Sequence, residues 1–375
     1  MNRFLYILLF IFPIFLNGQI VDQLLKSSNP AEGFSPYLRI GIKVGVNSVQ
    51  VEGDADILNE NGKKIARIQG RYKVIFKDQS LWVGKKKINA EMIRFSPQLM
   101  MIKVGNRMFR GDIEIHAIKG KLTVVNDLFI EDYVRGVINK EAIPSWPVEA
   151  KKTQAVLART FAVYQKMFNP RNKLYDLAPS VLDQVYGGLN REDVTSNKAV
   201  DQTKGEVITI GSHPAKIFFH STCGGRTASA KEVWGREMSH LQSVKCPYCK
   251  KSSLYRWKRL LTATTIAEKL KKAGYKVSRA RKIKVVKGEL RVKDVVVDGV
   301  SIPVNKFRAA VGFSTIWSND FTVSKSGGKF VFKGKGAGHG VGVCQWGMAG
   351  MASIGKKYKE ILRYYLKGIE IRKMY

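Results

Sequence analysis

The sequence predicts an α+β protein in which mixed helices and antiparallel strands form the main domain, preceded by a small β-rich region. Three observations carry this reading. Short β-like runs separated by turn signals fill the chain to about residue 120, two helix-type segments follow, and a βα-type stretch interrupts the second half at about residues 256–331. In the first region, Leu38–Val44, Lys73–Phe76 and Met101–Val104 have strand composition. Asn61-Gly62, Gly105-Asn106, Gly111-Asp112 and Lys119-Gly120 supply the breaks between such runs. After Val125 the texture changes. Leu128–Asn139 fits a helix, and Pro144-Ser145-Trp146-Pro147 breaks it. Pro147 suits the first position of a second helix, with Glu149 where a carboxylate meets the positive end of the dipole. That helix is expected to reach about Met167, kept slim by Ala150, Ala155, Ala158 and Ala162.

Beyond it, Glu206–Ile210 and Ala215–Phe219 are strand candidates around a Gly211-Ser212-His213-Pro214 turn. The interrupting stretch is expected to hold a helix at Thr265–Ala273 and strands near Lys282–Val286, Leu290–Val297 and Lys329–Phe332. A glycine-rich segment, Gly334–Gly342, precedes one last helix near Ser353–Leu366. The expected organisation is therefore residues 1–18, 19–120 and 121–375, with no internal repeat.

Residues 1–18 read as a signal peptide: Arg3 is followed by an apolar Phe4–Leu16, then Asn17-Gly18 before Gln19. The apolar run is shorter than the ~20 residues a bilayer core requires. Export, with no stable membrane span after cleavage, is the expectation, in the periplasm or associated with the cell envelope. The chain has 64 Lys plus Arg against 30 Asp plus Glu, a formal charge of +34. Such a field attracts polyanions. Export makes nucleic acid a poor partner and leaves cell-surface polyanions. The glycine-rich segment is no phosphate cradle, because it lacks a Lys-Ser/Thr pair at the required offset.

Cysteines stand at 223, 246, 249 and 344, too few and too unevenly spaced for a disulfide scaffold. His220-x-x-Cys223 and Cys246-x-x-Cys249 supply one nitrogen and three sulfurs, a set suited to tetrahedral structural zinc. A local Cys246–Cys249 bridge competes in an oxidising compartment. His220 is then free to line a binding groove, and Cys344 reads as a buried thiol.

A series of blocks in order resembles the SpoIID/LytB family, which includes a sporulation lytic transglycosylase and proteins described as amidase enhancers. The blocks are Ile130–Val137, then Glu141 with Ser145–Ala150, Gln154–Ala162, Asp183–Gly188, His220–Thr227, Val233–Gly235 and Gly338–Gly347, within residues 120–370. The resemblance implies a SpoIID-like domain acting on peptidoglycan glycan strands, and a cell-wall amidase as a candidate partner. It places the catalytic acid at Glu141. Gln184 and Tyr186 match family positions and offer an amide and a phenol to sugar hydroxyls and N-acetyl groups. Ser221 with Gly224-Gly225, and His339 in its glycine-rich loop, are expected to approach the glycan through the main chain. Arg159 and Gln345 are read either as further substrate contacts or as hydrogen-bonded core residues. The His and Cys cluster that some members carry ahead of the Gln-Val-Tyr-Gly-Gly stretch has no counterpart in Asp176–Asp183.

The chemistry fits one carboxyl group. Cleaving a glycosidic bond near neutral pH requires an acid that protonates the leaving oxygen, and most glycosidases add a second carboxylate. A lytic transglycosylase needs no activated water, because the muramic acid C6 hydroxyl attacks C1 and closes a 1,6-anhydro ring. Glu141, among Ala142, Ile143, Trp146 and Pro147, would serve both steps, and no cofactor is required. Asp183 and Glu149 read as structural or substrate-orienting. The alternative function is a non-catalytic glycan-binding enhancer of an N-acetylmuramoyl-L-alanine amidase.

Overall fold

A computed structural model describes residues 34–168, 170, 172–178 and 186–375. The expected signal peptide and Gln184 lie outside the described residues. The described chain falls into two compact units, one of residues 34–216 with Glu370–Tyr375, the other Ile217–Ile369. Helices and antiparallel sheets occur together, as the sequence predicts.

The first unit is built on a ten-stranded sheet. Its strands are β1 (Tyr37–Val46), β2 (Ser48–Leu58), β3 (Lys64–Lys77), β4 (Ser80–Val83), β5 (Lys86–Ile88), β6 (Met92–Pro97), β7 (Met101–Val104), β8 (Arg107–Arg110), β9 (Asp112–Ile118) and β10 (Lys121–Phe129). The order is β1-β10-β9-β6-β2-β3-β4-β5, with β7 bridging β2 and β8. The expected boundary near residue 120 falls inside this sheet, because β10 pairs with both β1 and β9. The β2–β3 hairpin turns where Asn61-Gly62 signals it. The Asn59 side chain accepts from the backbone N–H of Asn61 (3.1 Å) and Lys63 (2.9 Å), and Gly62 takes a left-handed φ of 75°.

A charge cluster around the buried Glu114 pins β1, β6 and β9 together. Glu114 accepts from Arg39 (2.8 Å), Arg94 (2.6 Å) and His116 (2.9 Å). Burial pushes its carboxyl up, but the hydrogen bonds from His116, Arg39 and Arg94 outweigh that and bring it down to about 2. A depressed carboxyl contributes stability above its unfolded pKa and loses it as pH falls through the folded one. The contribution is therefore complete above about pH 5 and lost towards pH 2. We expect Glu114→Gln to cost roughly 2 kcal/mol at pH 6 and almost nothing near pH 2. Urea unfolding at the two pH values measures this, and an equal cost at both would refute it.

Helix α1 (Ile130–Glu141) starts where β10 ends. Its buried residues Ile130, Tyr133, Val134, Val137 and Ile138 recur at the spacing of one helical face. The N–H of Ala142 bonds the carbonyl of Ile138 (2.7 Å) to close the last turn, and Pro144 and Pro147 bar continuation. The carbonyl of Pro147 then accepts from Ala150 (2.9 Å) and Lys151 (3.2 Å), opening α2 (Val148–Phe168). Ala150, Ala155, Ala158 and Ala162 are all fully buried along α2. Helix α3 (Val194–Asp201) packs on both, its first turn capped by Asp193. A strand at Glu206–Ile210 pairs with His213-Pro214 and with the C-terminal strand Glu370–Lys373.

In the second unit, the expected βα stretch folds as two three-stranded sheets. One joins Arg256–Thr262, Lys329–Lys335 and Phe321–Ser326, and the other Ile283–Lys287, Val292–Val297 and Val300–Pro303. Helices Ala263–Lys272 and Val304–Val311 share a core with them, through Leu270, Val295, Phe307 and Phe332. Two expectations change. The strand foreseen at Ala215–Phe219 is reduced to Phe219-His220, in parallel register with Val343-Cys344. The single last helix is two, Gln345–Ser353 and Tyr358–Tyr365, parted at Gly355 in a left-handed φ of 87°.

Candidate functional site

Glu141 is the last residue of α1 and is half-buried. The chain leaving it passes Ala142, buried, and then Ile143 and Trp146, whose backbones are joined by a 3.0 Å bond. Glu149 lies in the first turn of α2 with its carboxylate 2.9 Å from the ammonium of Lys152. It is thus engaged within its own helix.

The base of α1 is held by a buried ion pair. Arg159 donates from Nε (3.0 Å) and Nη2 (2.7 Å) to the two oxygens of Glu131, and from Nη1 to the Glu206 carbonyl (3.0 Å). Glu131 also accepts from the Gly205 N–H (3.0 Å) and the Tyr375 hydroxyl (2.8 Å). Arg159 is wholly inaccessible. Of its two readings, substrate contact is corrected to core residue, because the fork that would grip a sugar carboxylate grips Glu131.

Tyr186 is likewise turned inward. Its hydroxyl donates to Asn126 of β10 at 2.8 Å, and its ring stacks near Tyr133 and Phe109. Burial raises its phenol well above the ordinary tyrosine value. A Cβ at Gly136 of α1 would meet the ring at 2.6 Å, so glycine at that position is the condition for this packing.

In the second unit, Ser221, Gly224 and Gly225 are half-buried on the segment after the Phe219-His220 strand. His339 is corrected from glycan contact to core residue. It is 8% exposed, with Nε2 donating to the Phe219 carbonyl (3.0 Å) and Nδ1 accepting from the Val341 N–H (3.1 Å). Burial brings its imidazole down to about 4, so it is neutral in this arrangement. Phe218, Trp234 and His220 surround the ring. Gln345 is buried at the start of its helix.

The expected metal set is corrected at one position. Cys223, Cys246, Cys249 and Cys344 are all buried, with their sulfurs within 4.8 Å of one another. His220 is not in this group. Its Nδ1 donates to the Val341 carbonyl at 3.0 Å, and its Nε2 is buried with no hydrogen-bond partner among the described residues. Burial and the neighbouring His339 push its imidazole far below the usual range. The parallel register of His220 with Cys344 explains the exchange, since it brings the Cys344 sulfur to 3.3 Å from the Cys223 N–H. Sequence reasoning missed Cys344 because no short spacing links it to the others. It also passed over Arg291, which is buried with its guanidinium against Gly340 and donates to the Arg226 carbonyl at 2.8 Å.

Comparison with known proteins adds relatives to this geometry. Residues 118–210 match the family described as Stage II sporulation protein, and residues 238–342 match a domain of unknown function. The chain is 36% identical over 254 residues to an uncharacterised protein of Brachyspira hyodysenteriae, covering 67% of this chain and 68% of that one. Stage II sporulation protein D of Bacillus subtilis is 31% identical over 266 residues, covering 66% of this chain and 75% of its own. The amidase enhancer of Bacillus subtilis is 26% identical over 287 residues, covering 63% of this chain but 39% of its own. With a family match that spans α1, α2 and Glu141, and a named relative aligned over three quarters of its own length, the chain belongs to the Stage II sporulation protein D family.

Proposed function

We propose that the protein is an exported peptidoglycan lytic transglycosylase in which Glu141 is the single acid and base. The placement of Glu141 carries this reading. It is half-buried at the carbonyl end of α1, followed by Ala142 and Ile143. The carbonyl end of a helix disfavours negative charge and so suits a carboxyl group that must hold a proton. In the proposed reaction Glu141 gives its proton to the glycosidic oxygen of the departing N-acetylglucosamine. The muramic acid C6 hydroxyl attacks C1 as that bond breaks, and its proton returns to the Glu141 carboxylate. No water is consumed, and the acid is restored.

The charge of +34 favours glycan strands stripped of stem peptides, whose lactyl carboxylates form a polyanion. Incubating the protein with intact and peptide-stripped peptidoglycan, and counting 1,6-anhydromuramyl ends by mass spectrometry, tests both points. Anhydro ends should form faster on stripped strands, and the preference should shrink as salt is added. Reducing ends without anhydro product would replace internal attack by hydrolysis.

The amidase-enhancer relative supports a second reading. In that case the protein binds stripped or intact wall, stimulates an N-acetylmuramoyl-L-alanine amidase, and forms no anhydro product. The same incubation, repeated with an amidase present, separates the two.

A further inference from the structure

We propose that Cys223, Cys246, Cys249 and Cys344 form a structural zinc site of four thiolates. The group comes from three distant stretches of chain, and all four side chains are buried. Four sulfurs around zinc at about 2.3 Å stand about 3.8 Å apart. Here Cys223 and Cys249 are separated by 3.6 Å, and every pair lies within 4.8 Å. A disulfide joins sulfurs two at a time. Mutual proximity of all four is what a tetrahedral ion requires.

The surroundings suit thiolates. The Cys344 sulfur accepts from the backbone N–H groups of Cys223 and Gly347, each at 3.3 Å, and the Tyr365 hydroxyl is 3.0 Å from the Cys246 sulfur. Such donors orient metal-bound sulfurs and offset their charge. A Cβ at Gly347 would stand 2.7 Å from the Cys246 sulfur and 2.0 Å from the Tyr365 oxygen, so the helix can approach the cluster only with glycine there. Zinc with four thiolates carries a net charge of −2. The buried guanidinium of Arg291, whose Nη2 is 3.5 Å from the Cys223 carbonyl, lies beside it. Cys246 caps and Cys249 ends a single 3-10 turn, Pro247–Cys249, which makes a compact knuckle.

Zinc would join this knuckle to the segment after His220 and to the one after Gly342, fixing the parallel pairing of Phe219-His220 with Val343-Cys344. Binding releases to solvent the protons of those thiols still protonated, one for each. The role is structural: the four sulfurs leave no position open for water or substrate.

Metal analysis of the full chain purified with zinc should give one zinc per chain. X-ray absorption at the zinc edge should show four sulfurs at about 2.3 Å. A shell of three sulfurs and one nitrogen would instead restore His220 and overturn the proposal. Cobalt substitution should give the intense red-region absorption of a tetrahedral tetrathiolate, lost in Cys344→Ser and kept in His220→Gln. If Cys344→Ser fails to fold, the absorption measurement on the unmutated protein decides. Metal-free protein from the native envelope with its cysteines paired as disulfides would also overturn it.

Discussion

Replacing Glu141 by glutamine is expected to lower the rate of 1,6-anhydromuramyl end formation by roughly 10²–10⁴-fold, the usual worth of a positioned general acid and base. Glutamine keeps the size and one carbonyl oxygen of the side chain but can neither give nor take the proton. The loss should appear in kcat rather than in KM, because sugar contacts made before the proton moves are untouched. Glu149→Gln is the companion measurement. Its carboxylate is already engaged with Lys152 at 2.9 Å within α2, and a change of less than about tenfold is expected. Anhydro product at the unmutated rate from Glu141→Gln would remove Glu141 from the chemistry. Amidase stimulation that survives the substitution, with no anhydro product from either protein, would favour the enhancer reading.

The fold was legible wherever a local pattern decides the element. Ile130, Tyr133, Val134, Val137 and Ile138 repeat at helical spacing, and the Pro144–Pro147 break stops α1 where it ends. The Asn61-Gly62 turn likewise makes its hairpin. Elements set by partners distant in sequence were not legible. Ala215–Phe219 has strand composition, yet the strand formed there is Phe219-His220, because the strand it meets, Val343-Cys344, is two residues long. Around the candidate site, residue type was readable and side-chain direction was not. His339, Tyr186 and Arg159 are all polar groups in motif blocks, and each is turned inward by a partner elsewhere in the chain: Phe219, Asn126 and Glu131. Cysteine content suggested a metal-binding set, and local spacing favoured His220 over Cys344 as its fourth member. Tertiary pairing reversed that choice.

The largest effect on stability is expected at the Glu131–Arg159 pair. Glu131 is 1% exposed and Arg159 wholly buried, and they meet through two parallel hydrogen bonds. Removing one partner of such a pair leaves a buried charge uncompensated, at about 3–5 kcal/mol. Glu131→Ala also strips a partner from the Gly205 N–H and the Tyr375 hydroxyl, so its cost should lie at the upper end of that range. In a unit of this size that corresponds to roughly 10 °C or more in Tm. Arg159→Lys should recover little, since an ammonium cannot bond both carboxylate oxygens and the Glu206 carbonyl in the fork geometry. The double replacement Glu131→Leu with Arg159→Met removes both charges at once, and its cost should fall well short of the sum of the single losses. Urea unfolding of the unmutated protein, Glu131→Leu, Arg159→Met and the double variant gives the coupling directly. A cost below about 1 kcal/mol for Glu131→Ala would mean that water reaches Arg159. In the proposed reaction the pair also bears on the chemistry, because Glu131 sits in the first turn of the helix that ends at Glu141. Arg159 ties that turn to α2 and to the Glu206 backbone. On the proposed reading Arg159 is a positioning residue, and Arg159→Met, measured below its unfolding midpoint, should lower kcat for anhydro ends without changing the shape of their pH profile.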